Sequence, residues 1–266
     1  MHDVFFFTDV HGCRPLFDAI MNYCHEQDPE AMIIFGGDAM DRGPDGYAIM
    51  KELLDNPYVV YLKGNHEDIF VQAAREIKHD LKLNLENMDR KEVRDTIYWC
   101  RGYDERYLYV QTSLHNGGIE TLTDWVMDGM PMDIVDRIDH LPLTFSYGSC
   151  DFCHAAGGYT TFRDAANAEY NDKPVEDYAA MSLLWSRTAL GVKWAPSRIA
   201  VFGHTPTPYV PEFTNIRVEK DWKVQPLKWD GKLDMDTGMV FTGRGYVLNV
   251  LTMKAHGFEN NNGVKK

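Results

Sequence analysis

The sequence predicts an α/β fold built on a parallel sheet, and three observations predict it. Three short apolar runs, at residues 4–7, 31–35 and 58–62, have the length and the aromatic and β-branched content of buried strands. Two amphipathic segments separate them, which makes a βαβαβ unit with right-handed crossovers. Each run ends in a cluster of glycines, acids and histidines, where open α/β sheets bind ligands at the carboxyl ends of their strands.

Taken in order, Val4-Phe5-Phe6-Phe7 delivers Asp9-Val10-His11-Gly12. Pro15 then suits the first turn of a helix whose Leu16, Ile20 and Cys24 form one apolar stripe. Ala31 to Phe35 ends in Gly36-Gly37-Asp38-Ala39-Met40-Asp41-Arg42-Gly43, where paired glycines allow a sharp turn. Tyr47 to Leu54 is a second helix, stopped at Asn56-Pro57. Tyr58 to Leu62 ends in Gly64-Asn65-His66-Glu67, and Ile69 to Ile77 continues as a helix.

Residues 68–140 read as a helical excursion beside the sheet, because no linker flanks them; the alternative is that part of this stretch is a mobile lid. Helical patches fall around Val93 and Ile97, at 119–127 and at 134–138, with Asn116-Gly117-Gly118 as a turn. Leu143 to His154 reads as a hairpin, 174–190 as a helix, and 198–202 as a strand ending in Gly203-His204. Residues 207–235 are weakly patterned, and 239–241 with 246–250 read as a last hairpin. We expect one domain over 1–258 and a disordered tail from 259.

The 266 residues carry a net charge of −13, which speaks against a nucleic-acid-binding surface. No apolar run approaches the ~20 residues of a membrane span. Five cysteines, an odd count without framework spacing, fit a reducing compartment, and a cytoplasmic protein is expected. Cys150 and Cys153 lie within a strand-like run and read as core thiols, not as a redox pair. Trp99, Trp125, Trp185 and Trp194 read as core residues.

Five strand ends carry ligand chemistry: Asp9 and His11; Asp38, Asp41 and Arg42; Asn65 and His66; His154; and His204. Any one of them alone is an ordinary cap or turn residue. Asp9 and His11 are two apart, so an extended chain turns both the same way. Carboxylate, amide and imidazole without thiolate suit Mn²⁺, Fe or Zn²⁺ in a reactive site better than a structural zinc. Two ions ~3.5–4 Å apart would clamp an in-line displacement and bring a shared water's pKa towards ~7.

The three strand-end motifs of the first half resemble the signature motifs of the phosphoprotein phosphatase family of metallophosphoesterases. His154, Gly203-His204-Thr205-Pro206 and Met235-Asp236-Thr237-Gly238 resemble its later ones. The likeness is to compact bacterial and phage members and to diadenosine tetraphosphate hydrolases. Asn116-Gly117-Gly118 and Leu184-Trp185-Ser186-Arg187 also resemble segments of that subgroup. Thr8 stands where relatives usually carry Gly or Ser.

The resemblance implies a calcineurin-like fold, a central β-sandwich flanked by helices. It implies two divalent cations, with Mn²⁺ preferred. Asp9 and His11 would hold the first, Asp38 would bridge, and Asn65, His154 and His204 would complete the second. His66 would be the general acid, oriented by Asp41, while Arg42 and Arg187 would bind phosphate oxygens. The implied reaction is direct attack of a metal-bridging hydroxide on a phosphomonoester of serine or threonine, and of tyrosine as well. Asp236 is left outside this set as a turn residue.

The implied partner is thus a phosphoprotein, a phosphopeptide or a small phosphoester, with no membrane and no nucleic-acid duplex. One alternative substrate is diadenosine tetraphosphate, and Tyr103, Tyr107 and Tyr109 could face its bases. A catalytically inactive metal-binding module is the reading from another class. The intact set of ligands and acid speaks against it.

Overall fold

The computed structural model describes residues 2–79, 88–100, 105–155, 182–191, 197–217 and 223–260. In the first part, β1 (Val4–Phe7), α1 (Arg14–Gln27), β2 (Met32–Phe35), α2 (Gly46–Asp55) and β3 (Val59–Tyr61) alternate as expected. Then come the helices α3 (Asn65–His79), α4 (Arg90–Trp99), α5 (Leu108–His115), α6 (Ile119–Met127) and α7 (Met132–Asp139). The second part holds β4 (Thr144–Tyr147), β5 (Cys150–Cys153), β6 (Ile199–Phe202), α8 (Val210–Phe213), β7 (Leu227–Trp229) and β8 (Lys232–Asp234). It closes with α9 (Met239–Thr242), β9 (Arg244–Asn249) and β10 (Lys254–Glu259).

These strands form two five-stranded sheets, in the orders β10-β9-β1-β2-β3 and β4-β5-β6-β8-β7. In the first sheet β1, β2 and β3 are parallel, and β9 and β10 are antiparallel additions. In the second, β5, β6 and β8 are parallel, and β4 and β7 pair antiparallel at the edges. The fold is therefore the α/β sandwich that the resemblance implies.

Side-chain alternation explains the layers. Phe6 and Ile34 turn one way and meet Phe152, Val201, Leu233 and Leu248 between the sheets. The Phe6 and Phe152 rings lie 5.2 Å apart at the centre of that layer. Phe5, Phe7, Ile33 and Phe35 turn the other way and pack on Leu16, Ile20, Ile49 and Phe70 of the helices. The apolar run VFFF is continuous because both its faces are covered.

Among the described residues, the excursion packs into the same core, through Val93, Ile97, Val110, Leu122, Trp125, Val135 and Ile138. Residues 80–87 and 101–104 of it lie outside the described residues.

Several expectations need correction. The third helix begins at Asn65, not at Ile69, so two candidate site residues sit on its first turn. Helix α5 has no clear apolar stripe, and the sequence reading missed it. Residues 207–235 contain a helical turn and a hairpin whose inner strand, Lys-Leu-Asp, is wholly buried between β6 and β7. Charged ends on a three-residue strand hide its pattern.

The last hairpin is β9 with β10, whereas Met239 to Thr242 is a turn of helix. Gly238 and Gly243 bracket that turn at φ 65° and 67°, the left-handed region that favours glycine. Glu259 therefore belongs to a strand, and 261–266 lie outside the described residues. Of the helix expected over 174–190, residues 182–185 are helical, 186–187 are irregular and Thr188–Gly191 form a 3-10 turn. The remainder of that stretch lies outside the described residues, as does Trp194. Trp125 is core, but Trp99 is exposed.

Cys150 and Cys153 are free thiols buried in β5, and burial raises the pKa of both. No described helix is long and apolar enough to cross a membrane.

Phe6→Ala should remove the centre of the layer between the sheets and destabilise the protein by roughly 3–5 kcal/mol. Urea unfolding measures it. A loss under about 1 kcal/mol would mean that the two sheets do not depend on this contact.

Candidate active site

The six parallel strands point their carboxyl ends towards one place. From the first sheet, β1, β2 and β3 deliver Asp9 and His11, Asp38 and Asp41, and Asn65 and His66. From the second, β5, β6 and β8 deliver His154, His204 and Asp236. The turns are tight. Asp9, His11, Asp38, Asp41, Arg42 and His204 all have φ between 46° and 69°. Left-handed backbone at non-glycine residues costs about 1–3 kcal/mol each and persists where the surroundings enforce it. Here they do: Gly64 and Gly203 press against the carboxylates of Asp38 and Asp9, with no room for a side chain.

Asp38 is the centre. It is buried, its Oδ2 lies 3.5 Å from His11 Nε2, and its Oδ1 lies 3.4 Å from His154 Nε2. Asn65 Oδ1 is 2.9 Å from both His154 Nε2 and His204 Nδ1. The imidazoles are oriented from behind. His11 Nδ1 donates to Met40 O and His154 Nδ1 to Gly36 O, both at 2.9 Å, so each turns Nε2 to the centre.

Two overlapping groups result among the described residues, His11–Asp38–His66 and Asp38–His154–His204, and each could hold a cation. The donor set fits divalent metal ions. It combines carboxylate oxygen with imidazole nitrogen, it has no thiolate, and the buried Nε2 of His204 has no partner. Asp9 stands one step back: both its oxygens accept from His204 N–H, and Oδ2 also accepts from the Thr8 hydroxyl at 2.7 Å. The hydroxyl at Thr8 thus does useful work as a donor.

Electrostatics follow from burial and crowding. Burial opposes the ionised form of Asp38, but His154, His66 and His11 together hold its carboxyl well below the ordinary value. Asp9 is pushed up to about 6 by burial and by Asp38, although His154 works against this. Burial, with the charges of His66 and Arg42, holds His11 neutral. At His154 burial opposes the charge, and Asp38 and Asp9 more than offset it, lifting the group to about 10.

His66 is buried on the first turn of α3, with its N–H on Asp38 Oδ1 at 3.0 Å. Its Nδ1 lies 2.7 Å from Asp41 Oδ2, which fixes the tautomer. Burial disfavours its proton, but Asp38 and Asp41 outweigh that and raise its pKa. Arg42 extends over both rings, 2.6 Å from His11 Nε2 and 3.2 Å from His66 Nε2. Arg187 is exposed, after the short helical turn at 182–185. Arg42, Arg187 and His204 line a cleft of about 450 Å3 that opens from this centre to solvent.

The structure therefore brings all ten expected residues to one region, with Arg187 at the mouth. It also adds residues that the sequence reading left outside the site. Asp236 is buried near Asp9 and Arg42, and burial together with Asp9 raises its pKa well above the ordinary value. It lies just beyond the sixth parallel strand; its motif was read in the sequence, but with that strand unassigned nothing placed it at the site.

Thr121 on α6 accepts the Asp41 N–H at 3.0 Å, and Gly117 O accepts the Arg42 N–H at 2.9 Å. The helical excursion thus supports the acid and the guanidinium from behind, across some 80 residues of sequence. No local motif could have signalled that. His115, without a partner motif in the sequence, lines the cleft.

Parallel strand ends from two sheets, meeting over shared carboxylates and imidazoles, define a metal-dependent hydrolase. A family model described as calcineurin-like phosphoesterase matches residues 2–230, and the chain belongs to that family. It resembles the symmetrical bis(5'-nucleosyl)-tetraphosphatase of Buchnera aphidicola subsp. Schizaphis graminum, at 25% identity over 101 residues, 37% of each chain. The same-named protein of Buchnera aphidicola subsp. Acyrthosiphon pisum (strain Tuc7) is 25% identical over 145 residues, 51% of this chain and 52% of the relative.

The chain thus spans about half or less of the length of these curated relatives. A solved structure described as a candidate diadenosine tetraphosphatase superposes with a TM-score of 0.57 at 14% identity, covering 98% of this chain and 95% of that one. That likeness concerns the fold.

Because His154 holds its proton up to about 10, cation uptake at neutral pH must displace it. The apparent affinity for Mn²⁺ should rise by about tenfold per pH unit between pH 6 and 8, with release of at least one proton. Calorimetric titration in buffers of different ionisation enthalpy measures both. An affinity that does not change with pH would show that His154 does not exchange its proton for the cation.

Proposed function

We propose that this chain hydrolyses phosphate esters with two divalent cations. Asp9 and His11 would hold the first, Asp38 would be shared, and Asn65, His154 and His204 would complete the second. One observation carries the reading: the two oxygens of Asp38 face different donor sets, His11 on one side and His154 with Asn65 on the other. Mn²⁺ is the preferred ion, with Fe or Zn²⁺ compatible with the same donors. When bound, such ions polarise the phosphoryl oxygens and acidify a water molecule.

The remaining work falls to side chains. Arg42 and Arg187 present planar, permanently charged donors to the non-bridging oxygens at the cleft mouth. His66, whose pKa is raised by Asp38 and Asp41, is the group placed to give a proton from Nε2 to the departing oxygen, while Asp41 on Nδ1 stabilises the imidazolium. Burial of the centre strengthens each of these interactions. Residues 1–258 would work as one catalytic domain, and the five free thiols support a reducing, cytoplasmic setting.

Two substrate readings each have their own support. A dedicated acid is most useful for an alkoxide leaving group, which supports a phosphoserine or phosphothreonine side chain, and phosphotyrosine in addition. The names of the curated relatives support a dinucleoside polyphosphate.

His66→Asn should lower kcat by roughly 10²–10⁴-fold at unchanged metal content. His66 also belongs to the His11–Asp38–His66 group. Loss of metal in that variant, read by elemental analysis, would make it a ligand and sink the assignment as acid. The substrate is tested by kcat/KM of the Mn²⁺-loaded protein on a phosphoserine peptide and on diadenosine tetraphosphate. A tenfold preference, about 1.4 kcal/mol of differential transition-state binding, selects one reading and rejects the other.

A further inference from the structure

The cleft over the centre has an aromatic rim that the reaction itself does not use. Tyr209 and Phe241 line it beside Arg42, Arg187 and His115. Phe241 is 64% exposed and Tyr209 is 53% exposed, although most of the chain's large apolar side chains are buried. Phe241 does not face outward by default. On α9 its neighbours Met239 and Val240 are buried, and the Thr242 hydroxyl donates to Thr237 O at 2.9 Å. That anchorage drives the ring to the cleft mouth.

There the Arg42 guanidinium carbon stands 5.4 Å from the centroid of the Phe241 ring. A second such pair is Arg187 with Phe213, which lies outside the cleft lining, at 5.9 Å from the ring centroid. Each phosphate-binding guanidinium is therefore coupled to an exposed aromatic face. A flat ring on water-facing π-surface beside cations is the arrangement that stacks a base while its phosphates meet the charges.

We infer that Phe241, with Tyr209, is a seat for the base of a nucleoside phosphate and so determines specificity. The inference rests on the phosphoesterase reading and takes its nucleotide branch. Stacking acts on every base because each has a π-face, so the seat discriminates ring from no ring and not one base from another. A seryl phosphate has nothing to place there. Phe241 stands at the cleft mouth beside Arg42, so it is placed to act through substrate binding and not in the chemical step.

The test compares kcat/KM of the Mn²⁺-loaded wild type, Phe241→Leu and Phe241→Trp on three substrates. They are diadenosine tetraphosphate, a phosphoserine peptide and a phosphotyrosine peptide. The selectivity for the dinucleotide over the phosphoserine peptide should fall about tenfold in Phe241→Leu, mainly through KM, and return in Phe241→Trp. Equal losses on the dinucleotide and the phosphoserine peptide would mean that Phe241 only props Arg42, and would overturn the seat.

An unchanged selectivity would overturn it too. A loss confined to the phosphotyrosine peptide would overturn the nucleoside assignment in favour of an aryl ester. A wild type inactive on all three, with two metals bound, would remove the phosphoesterase reading itself. That outcome is distinct from an active enzyme whose selectivity ignores Phe241.

Discussion

The geometry of the site depends on one buried carboxylate, that of Glu67. It is fully buried, and its Oε2 accepts the N–H groups of Asp38 and Gly64, both at 2.8 Å. Its Oε1 accepts Ala39 N–H at 2.9 Å and the Tyr61 hydroxyl at 2.7 Å. One side chain thus ties the turn after β2 to the turn after β3. Burial and the charge of Asp38 push its pKa up, and the donated hydrogen bonds work against that. The interaction holds Asp38 in a left-handed conformation, with its oxygens aimed at different partners. Leaving several buried donors unpaired would cost about 1–3 kcal/mol for each.

Around this clamp the molecule concentrates charge that it could spread elsewhere. Asp9, Asp38, Asp41, Glu67, Asp234 and Asp236 are all buried near the strand ends. Burial pushes Asp9, Asp234 and Asp236 upward, while Asp38, ringed by imidazoles, goes down. An interior with several like charges is costly unless cations share it. The arrangement therefore trades stability for a strong local field. With a net charge of −13 the chain offers no long-range attraction to a phosphorylated substrate. The guanidinium groups that line the cleft are the positive charges at close quarters, where screening is weakest.

Much of this was legible in the sequence. The first three strands are apolar on both faces, so their runs are continuous and easy to read. Their motifs are local, but the extended spacing expected to align Asp9 with His11 did not hold, because both residues take left-handed backbone and Asp9 accepts the His204 N–H. The failures share a cause. Strand β8 is charged at both ends, helix α9 looks like a strand until its bracketing glycines are placed, and α5 lacks a stripe. In each case tertiary contacts decided what local propensity left open. Asp236 was weighed and left outside the set for the same reason, since its place depends on where β8 runs.

What the sequence by itself determined is the chemistry: which acids, imidazoles and guanidiniums exist, and that all of them but Arg187 follow a strand. Those signals are local, and a strand's carboxyl end can be read from a few residues. Only the tertiary structure decided how they meet. It set the second sheet against the first, so that His154 and His204 reach Asn65 across 89 and 139 residues of chain. It also brought Thr121 behind Asp41, and turned Phe241 outward beside Arg42. Distances between such remote residues are set by packing of the whole core, and no local spacing encodes them.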